Sequence, residues 1–482
     1  VPTLAAAAAA ADGPAASARA EPSAARAVLL VAAAGAALRL ALGAVVPITT
    51  DEAYYVDWAR HLQPGYLDHP PLVAWLLAGS LRLLGDRLVA VRLPAVLLQS
   101  ATTLLAASLA RARAGERAAL AAALLLQAAP VFSVGAVLMT PDAPLALAWV
   151  GTLWAVERAL SRDGRWLLAA GALLGVGALA KLTAGLLGVA VLGGLLASPR
   201  GRALLATPWP WLGVALAAAV ASPMLLWNAA HGFATFGFQA RHGLGGGGPS
   251  LLRLAGSLGA QAAYVSPVLL SLAAGAAWRA FRGDEVARLL AATALPVVLF
   301  FTAAAAFTPG ALPHWPAPGW LSATLLLAVA GAPRLRLALL TGGALCALLV
   351  AALALLLAGV PGLPGSPLDE LRGWREGALA ARAAAGGAPV AATHWMALGH
   401  LGWAGGAPVE YVGERRCSAS DYEPDPLAAG GPLLVVEVVG LGEDRAALER
   451  RLGPLRPAGE AEARDGDRLV RRYRFWRRPA SP

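Results

Sequence analysis

Residues 27–62 read AVLLVAAAGAALRLALGAVVPITTDEAYYVDWARHL. The first twenty of these, 27–46, form an apolar run interrupted only by Arg39, long enough to cross a bilayer as a helix. Thr49-Thr50-Asp51-Glu52 then announces a second helix, with a threonine cap and acids in the first turn. Tyr54, Trp58 and Leu62 recur at i, i+4 and i+8, which predicts a short amphipathic helix lying on the membrane surface rather than crossing it. An apolar span thus delivers two carboxylates to a water boundary.

The rest of the chain repeats that theme. Of 482 residues, 58% are hydrophobic and 14% charged, where a soluble domain carries about a quarter charged. Mean hydropathy is +0.61. These figures exclude an ordinary soluble enzyme and a disordered chain. The net charge of +10 does not point to nucleic acid, because Lys181 is the only lysine and the arginine excess follows the Ala- and Gly-rich composition. Further apolar runs at 87–110, 115–138, 142–160, 166–180, 182–198, 207–227, 255–278, 288–307, 315–331 and 335–358 bring the expected spans to about eleven. Arg39 and Arg92 read as near-end or amphipathic positions. Residues 1–25 read as a disordered cytoplasmic tail, 26–358 as the membrane domain with an external loop over 47–86, and 359–482 as a small extracytoplasmic α/β domain.

Sidedness follows from the basic residues of the short loops. Alternate loops carry Arg111, Arg113 and Arg117, then Arg158, Arg162 and Arg165, then Arg200 and Arg202, then Arg279, Arg282 and Arg288, then Arg334 and Arg336. The opposite loops carry only Lys181, Arg241 and Arg253. The N-terminus is therefore expected inside, with all seven histidines outside.

On that outer side, acids and cations gather. Asp51 and Glu52 emerge with the first span, and Asp142 opens another helix after Thr140-Pro141. Asp68-His69 precede Pro70-Pro71, a pair that forces an extended entry into the next helix. Lys181, Arg241 and His314 supply further positive groups, and Arg241 has the fork geometry that suits phosphate. Carboxylates and cations just above apolar spans suit a lipid-phosphate substrate entering from the bilayer. Asp51, Glu52 and Asp142 are the candidate catalytic acids, and His69, Lys181, Arg241 and His314 the candidate lipid-phosphate ligands. Asp68 with His231 is the weakest signal, a metal-ligand pair that would admit a divalent metal as cofactor.

Six ordered motifs carry a resemblance. Asp51-Glu52-Ala53-Tyr54-Tyr55, Tyr66-Leu67-Asp68-His69-Pro70-Pro71-Leu72, Thr140-Pro141-Asp142-Ala143-Pro144-Leu145, Leu179-Ala180-Lys181-Leu182-Thr183-Ala184, Trp227-Asn228 with Gln239-Ala240-Arg241, and His314-Trp315-Pro316-Ala317-Pro318 lie in sequence order. The likeness also touches Leu371-Arg372-Gly373-Trp374. Together they resemble bacterial membrane glycosyltransferases of the GT-C fold: the dolichyl-phosphate-mannose-protein mannosyltransferase-like family 39 and the aminoarabinose transferases of lipid A. The resemblance implies an enzyme of the cytoplasmic membrane, acting on its outer face. It would move a sugar from a polyprenyl-monophosphate carrier to an envelope lipid, glycan or protein, with Asp51 as the catalytic carboxylate and Asp142 as a second acid. In the aminoarabinose transferases the position of His69 is a lysine on the lipid phosphate, and that of Asp68 a glutamate near a metal. The alternative is a flippase that moves a lipid-linked sugar without cleaving it; its ionisable groups would lie near the bilayer midplane.

Overall fold

The structure, a computed structural model, describes residues 21–244, 246–331, 334–358, 368–422, 431–442 and 445–479. Most of the expected 1–25 tail and the start of the expected C-terminal domain, 359–367, lie outside them, and helix α1 (Glu21–Val45) already begins inside the expected tail. Helices α2 (Thr50–Arg60) and α3 (Leu72–Leu84) follow. The next, α4 (Leu88–Ala128), is two arms joined at a kink, where Ala114 leaves helical geometry and Gly115 takes φ 78°. The membrane body continues through α5 (Asp142–Ser161), α6 (Trp166–Ala180), α7 (Ala184–Leu196), α8 (Pro199–Leu205), α9 (Trp209–Ala230) and α10 (Ala234–Leu244). It closes with α11 (Leu251–Val265), α12 (Pro267–Ala280), α13 (Glu285–Phe307), α14 (Ala317–Ala330) and α15 (Leu335–Ala358).

Every expected span coincides with a helix, an arm of one or a broken pair. Among the described residues five helices are long and apolar enough to cross a membrane alone, and up to seven spans result if each sharply bent pair counts as one. The expected span 255–278 bends by 100° between α11 and α12, where Pro267 cannot donate to the ladder and Ser266 sits at φ 83°. The expected span 115–138 ends at Ala128 and gives way to two short 3-10 turns after Pro130. Three of the basic loops meet: Arg113 pairs with Asp284 at 2.5 Å, and the Arg200 amide reaches Glu285 at 3.1 Å.

Arg92 lies near a helix end as expected, in the second turn of α4, and both Arg39 and Arg92 are buried among protein partners. Arg39 donates to the carbonyls of Phe132 and Ser133 and to Gln127, satisfying the backbone where α4 has ended. Arg92 binds the carbonyls of Gly43, Val46 and Pro47 and the carboxylate of Glu52.

The C-terminal domain contains α16 (Trp374–Ala385), β1 (Val390–Ala392), α17 (Trp395–Gly405), β2 (Glu410–Tyr411), α18 (Ala419–Tyr422), β3 (Leu433–Val438), α19 (Arg445–Leu452), β4 (Arg456–Asp465) and β5 (Arg468–Arg478). The strands order as β2-β1-β3-β5-β4, with β1 parallel to β2 and β3, and β5 antiparallel to β3 and β4. This is the expected small α/β domain, its sheet ending on one edge at β4. Its sequence, RPAGEAEARD, carries no apolar alternation; only the turn at Asp465-Gly466, with Gly466 at φ 62°, marks the hairpin.

One hydrophobic core joins the two parts. Val56, Trp58 and Leu77 of the membrane body pack in the same cluster as Trp374, Leu398 and Tyr473 of the C-terminal domain. Helix α2 does not rest on the membrane surface as its periodicity suggested. Residues Glu52–Ala59 are all buried, because α17 lies across it. The approach needs a glycine: a Cβ at Gly399 would stand 2.7 Å from the Tyr54 nitrogen and 2.8 Å from the Ala53 carbonyl carbon.

Candidate active site

The first turn of α2 is fixed by a capping box: Thr49 caps the Glu52 amide, and the Glu52 carboxylate accepts from the Thr49 amide at 3.1 Å. Glu52 is fully buried and also takes the Arg92 guanidinium at 2.7 and 3.0 Å and the Met139 amide at 3.2 Å. The structure therefore corrects its expected catalytic role. Glu52 is a structural clamp, buried with both oxygens committed.

Asp51, its neighbour, points the other way. Its side chain is exposed to water yet set among surrounding protein, and its carboxylate has no hydrogen-bond partner among the described residues. Confinement there, with the negative charges of Glu370, Glu52 and Asp68 and against Lys181, raises its pKa from 3.8 to about 6. That value suits a proton acceptor near neutral pH.

Other loops expected on this face come close to Asp51. Asp142 starts α5, where the helix N-terminus favours an anion. Lys181 caps the C-terminal end of α6 and grips both Asp142 oxygens at 2.9 Å. His314 Nε2 lies 3.9 Å from Asp142. Asp142 thus anchors Lys181 and faces His314. His69 sits deep among these groups, with Gln239 Nε2 3.4 Å from its Nδ1. Burial and then the Lys181 charge lower its pKa to about 3, so His69 is neutral at physiological pH. It can hydrogen-bond a phosphate but brings no charge, a correction to its expected part as a cation. Burial likewise lowers His314.

Asp68 is closed off by the C-terminal domain. Its carboxylate accepts from Tyr54 at 3.0 Å and from the Ser418 hydroxyl at 2.7 Å, while the Ser418 amide donates to Tyr54 at 2.7 Å. His231 stacks on Trp227 at 4.1 Å and bonds that residue's carbonyl at 2.7 Å. Neither arrangement is part of a cluster: among the described residues no three His, Cys, Asp or Glu side chains stand together as a metal site would require. The donor set does not fit a resident metal, and no step below passes through one.

Arg241 opens a second region. With His242 at the end of α10 it lines a cavity of about 490 Å³ with Leu67, Phe238, Arg415 and Arg416. The Arg241 and Arg415 guanidinium groups have no partner among the described residues, whereas Arg416 is engaged by Asp421. Two unpaired arginines in a recess beside Asp68 make an anion basin. Sequence reasoning missed Arg415, Ser418, Gln239 and Glu370 as site residues. Gln239 carried a signal, two residues before Arg241 in a recognised motif; the others lie in the C-terminal domain, whose own pattern says only that it is a small α/β unit.

Three comparisons bear on this geometry. Residues 68–227 match the family model for dolichyl-phosphate-mannose-protein mannosyltransferase. Lipid A galacturonosyltransferase RgtD of Rhizobium johnstonii is 28% identical over 298 residues, which is 57% of this chain and 59% of that relative's length. The fold matches ArnT from Cupriavidus metallidurans, both bound to undecaprenyl phosphate (TM-score 0.59, 18% identical) and in the apo state (TM-score 0.62, 19% identical). Each match covers 93% of this chain and 97% of that one. The chain is a multi-pass membrane protein with the GT-C fold seen in ArnT, and over 57% of its length it is similar to a lipid A galacturonosyltransferase.

Proposed function

We propose that this protein transfers a sugar from a polyprenyl-monophosphate carrier to an envelope acceptor at the outer face of the cytoplasmic membrane. The observation that carries the reading is Asp51, an unbonded carboxylate with raised proton affinity, near the Lys181–Asp142 pair, with the basin of Arg241 and Arg415 as a neighbouring region beside Asp68. The names of the relatives support the donor and acceptor classes: ArnT was captured with undecaprenyl phosphate, and RgtD is a lipid A transferase.

In the proposed step an acceptor hydroxyl oxygen attacks C1 of the sugar. Its proton passes to Asp51, and the C1–O bond to the carrier phosphate breaks with its electron pair. The leaving lipid phosphate becomes a dianion, stabilised by Arg241, Arg415 and Lys181, with neutral His69 and His314 as hydrogen-bonding partners. Charge placed in advance at a leaving group is usually the largest catalytic contribution. One displacement gives inversion at C1, whereas a carboxylate attacking C1 itself would give retention.

The test uses the protein in vesicles with labelled undecaprenyl-phosphate sugars and an envelope extract. Label passing from carrier to an extract component, with inverted configuration, is expected. Label crossing the bilayer still attached to its carrier would establish the flippase alternative instead.

A further inference from the structure

Glu370 enters the site from outside the membrane body. It lies in a short turn just before α16, and its backbone carbonyl is held by two donors, Trp374 Nε1 at 2.7 Å and Arg471 at 3.1 Å. With the main chain pinned, the side chain reaches the first turn of α2, where the Thr50 hydroxyl donates to it at 2.6 Å. The same hydroxyl meets His400 Nε2 at 3.2 Å. His400 stacks face to face on Trp374 at 4.4 Å, and the Arg471 guanidinium lies over the same ring, 3.9 Å from its centroid. The contacts close a ring: Thr50, His400, Trp374, Glu370 and back to Thr50. Thr50 is the residue before Asp51, so the ring sets Glu370 against the acid on which the chemistry turns.

We propose that Glu370 is a positioning residue for Asp51: docked through Thr50, the C-terminal domain places a second negative charge beside it and so maintains its basicity at neutral pH. The proposal rests on the reading of Asp51 as the proton acceptor. Its physical basis is like-charge repulsion in a confined recess, which favours the protonated form of a carboxylate. The groups facing Asp51 leave that effect standing. Glu52, paired with Arg92, and Asp68, hydrogen-bonded by Tyr54 and Ser418, act in the same direction but after Glu370, and Lys181, which opposes them, is held by Asp142. Tyr55 stays protonated, because burial and then Asp51 push its pKa well up. His400 adds no positive charge, since burial and then Arg471 lower it to about 3. Among these, Glu370 is the foremost charged neighbour of Asp51.

The experiment reads Asp51 directly. The carboxyl band of Asp51, isolated as the infrared difference between the parent protein and Asp51→Asn, is titrated in the full chain and again with Glu370→Gln in both members. Glutamine keeps an oxygen for the Thr50 hydroxyl and removes the charge. The midpoint is expected to fall by on the order of 1 pH unit. The acid limb of donor cleavage should move down by the same amount. A Thr50→Val variant, which frees Glu370 from its anchor, should shift the midpoint in the same direction and answers the question should Glu370→Gln fold poorly. An unmoved midpoint in a folded variant overturns the proposal, as does a rate loss equal at every pH, which marks Glu370 as a brace between domains. The titration needs no turnover, so it can succeed or fail independently of the transferase reading.

Discussion

Replacing Glu52 by glutamine separates a structural acid from a catalytic one at adjacent positions. Glu52 and Arg92 are 0% and 1% exposed, and their carboxylate and guanidinium meet at 2.7 Å. Glu52 also accepts from the Thr49 amide and hydroxyl at 3.1 and 3.2 Å and from the Met139 amide at 3.2 Å. Glutamine preserves the shape but leaves Arg92 as a buried cation without a counter-charge. Removing one partner of a buried pair costs about 3–5 kcal/mol. Three backbone carbonyls remain around Arg92, at 3.0, 2.6 and 2.8 Å, which places the cost toward the lower end of that range. Against a net stability of about 5–15 kcal/mol the loss is large. Denaturation in detergent, followed by tryptophan fluorescence, should show a clearly lowered midpoint for Glu52→Gln. The double variant Glu52→Leu/Arg92→Met should lose less than the single one, because no buried charge is left uncompensated. Turnover per folded molecule should stay within about tenfold of the parent, Asp51 being intact. A variant with the parent midpoint and no transfer activity would refute the reasoning and return Glu52 to the chemistry.

Further outcomes follow from the same geometry. Donor cleavage should rise with pH through about 6, since Asp51 must be deprotonated to accept a proton and its pKa is raised to that value; a pH–rate profile checks this. Arg241→Ala and Arg415→Ala should each weaken carrier-phosphate binding by about 10–100-fold, seen in KM for the donor, because each removes a charge-assisted contact of about 1.5–3 kcal/mol. Gly399→Val should undock the C-terminal domain by placing side-chain atoms against the α2 backbone. Buried Cys417 should then react with a maleimide faster than in the parent, measured in a Cys346→Ser background.

The membrane plan was legible because apolar length and arginine alternation are local, additive signals. They located the membrane-spanning helices and grouped Asp51, Asp142, Lys181, Arg241 and His314 on one side, but left α8 and α10 as loops. What stayed hidden depends on contacts between distant segments. Glu52 and Asp51 are adjacent and chemically alike; only the position of Arg92, forty residues on, decides which one is buried. The aromatic stripe of α2 suited a membrane surface and a protein interface equally, and α17 settles it. His69 reads as a cation until the charge of Lys181 and the surrounding protein are in place. Arg415 and Ser418 lie in a polar stretch with no motif, and acquire meaning only when that stretch folds over Asp68.

The most direct test of the central claim compares parent and Asp51→Asn proteins for carrier binding and for carrier cleavage, side by side, in the same lipid preparation. The account predicts that the variant binds undecaprenyl-phosphate sugar as the parent does, because the arginines and Lys181 are untouched, and releases no sugar from it. Cleavage at the parent rate by Asp51→Asn would contradict it.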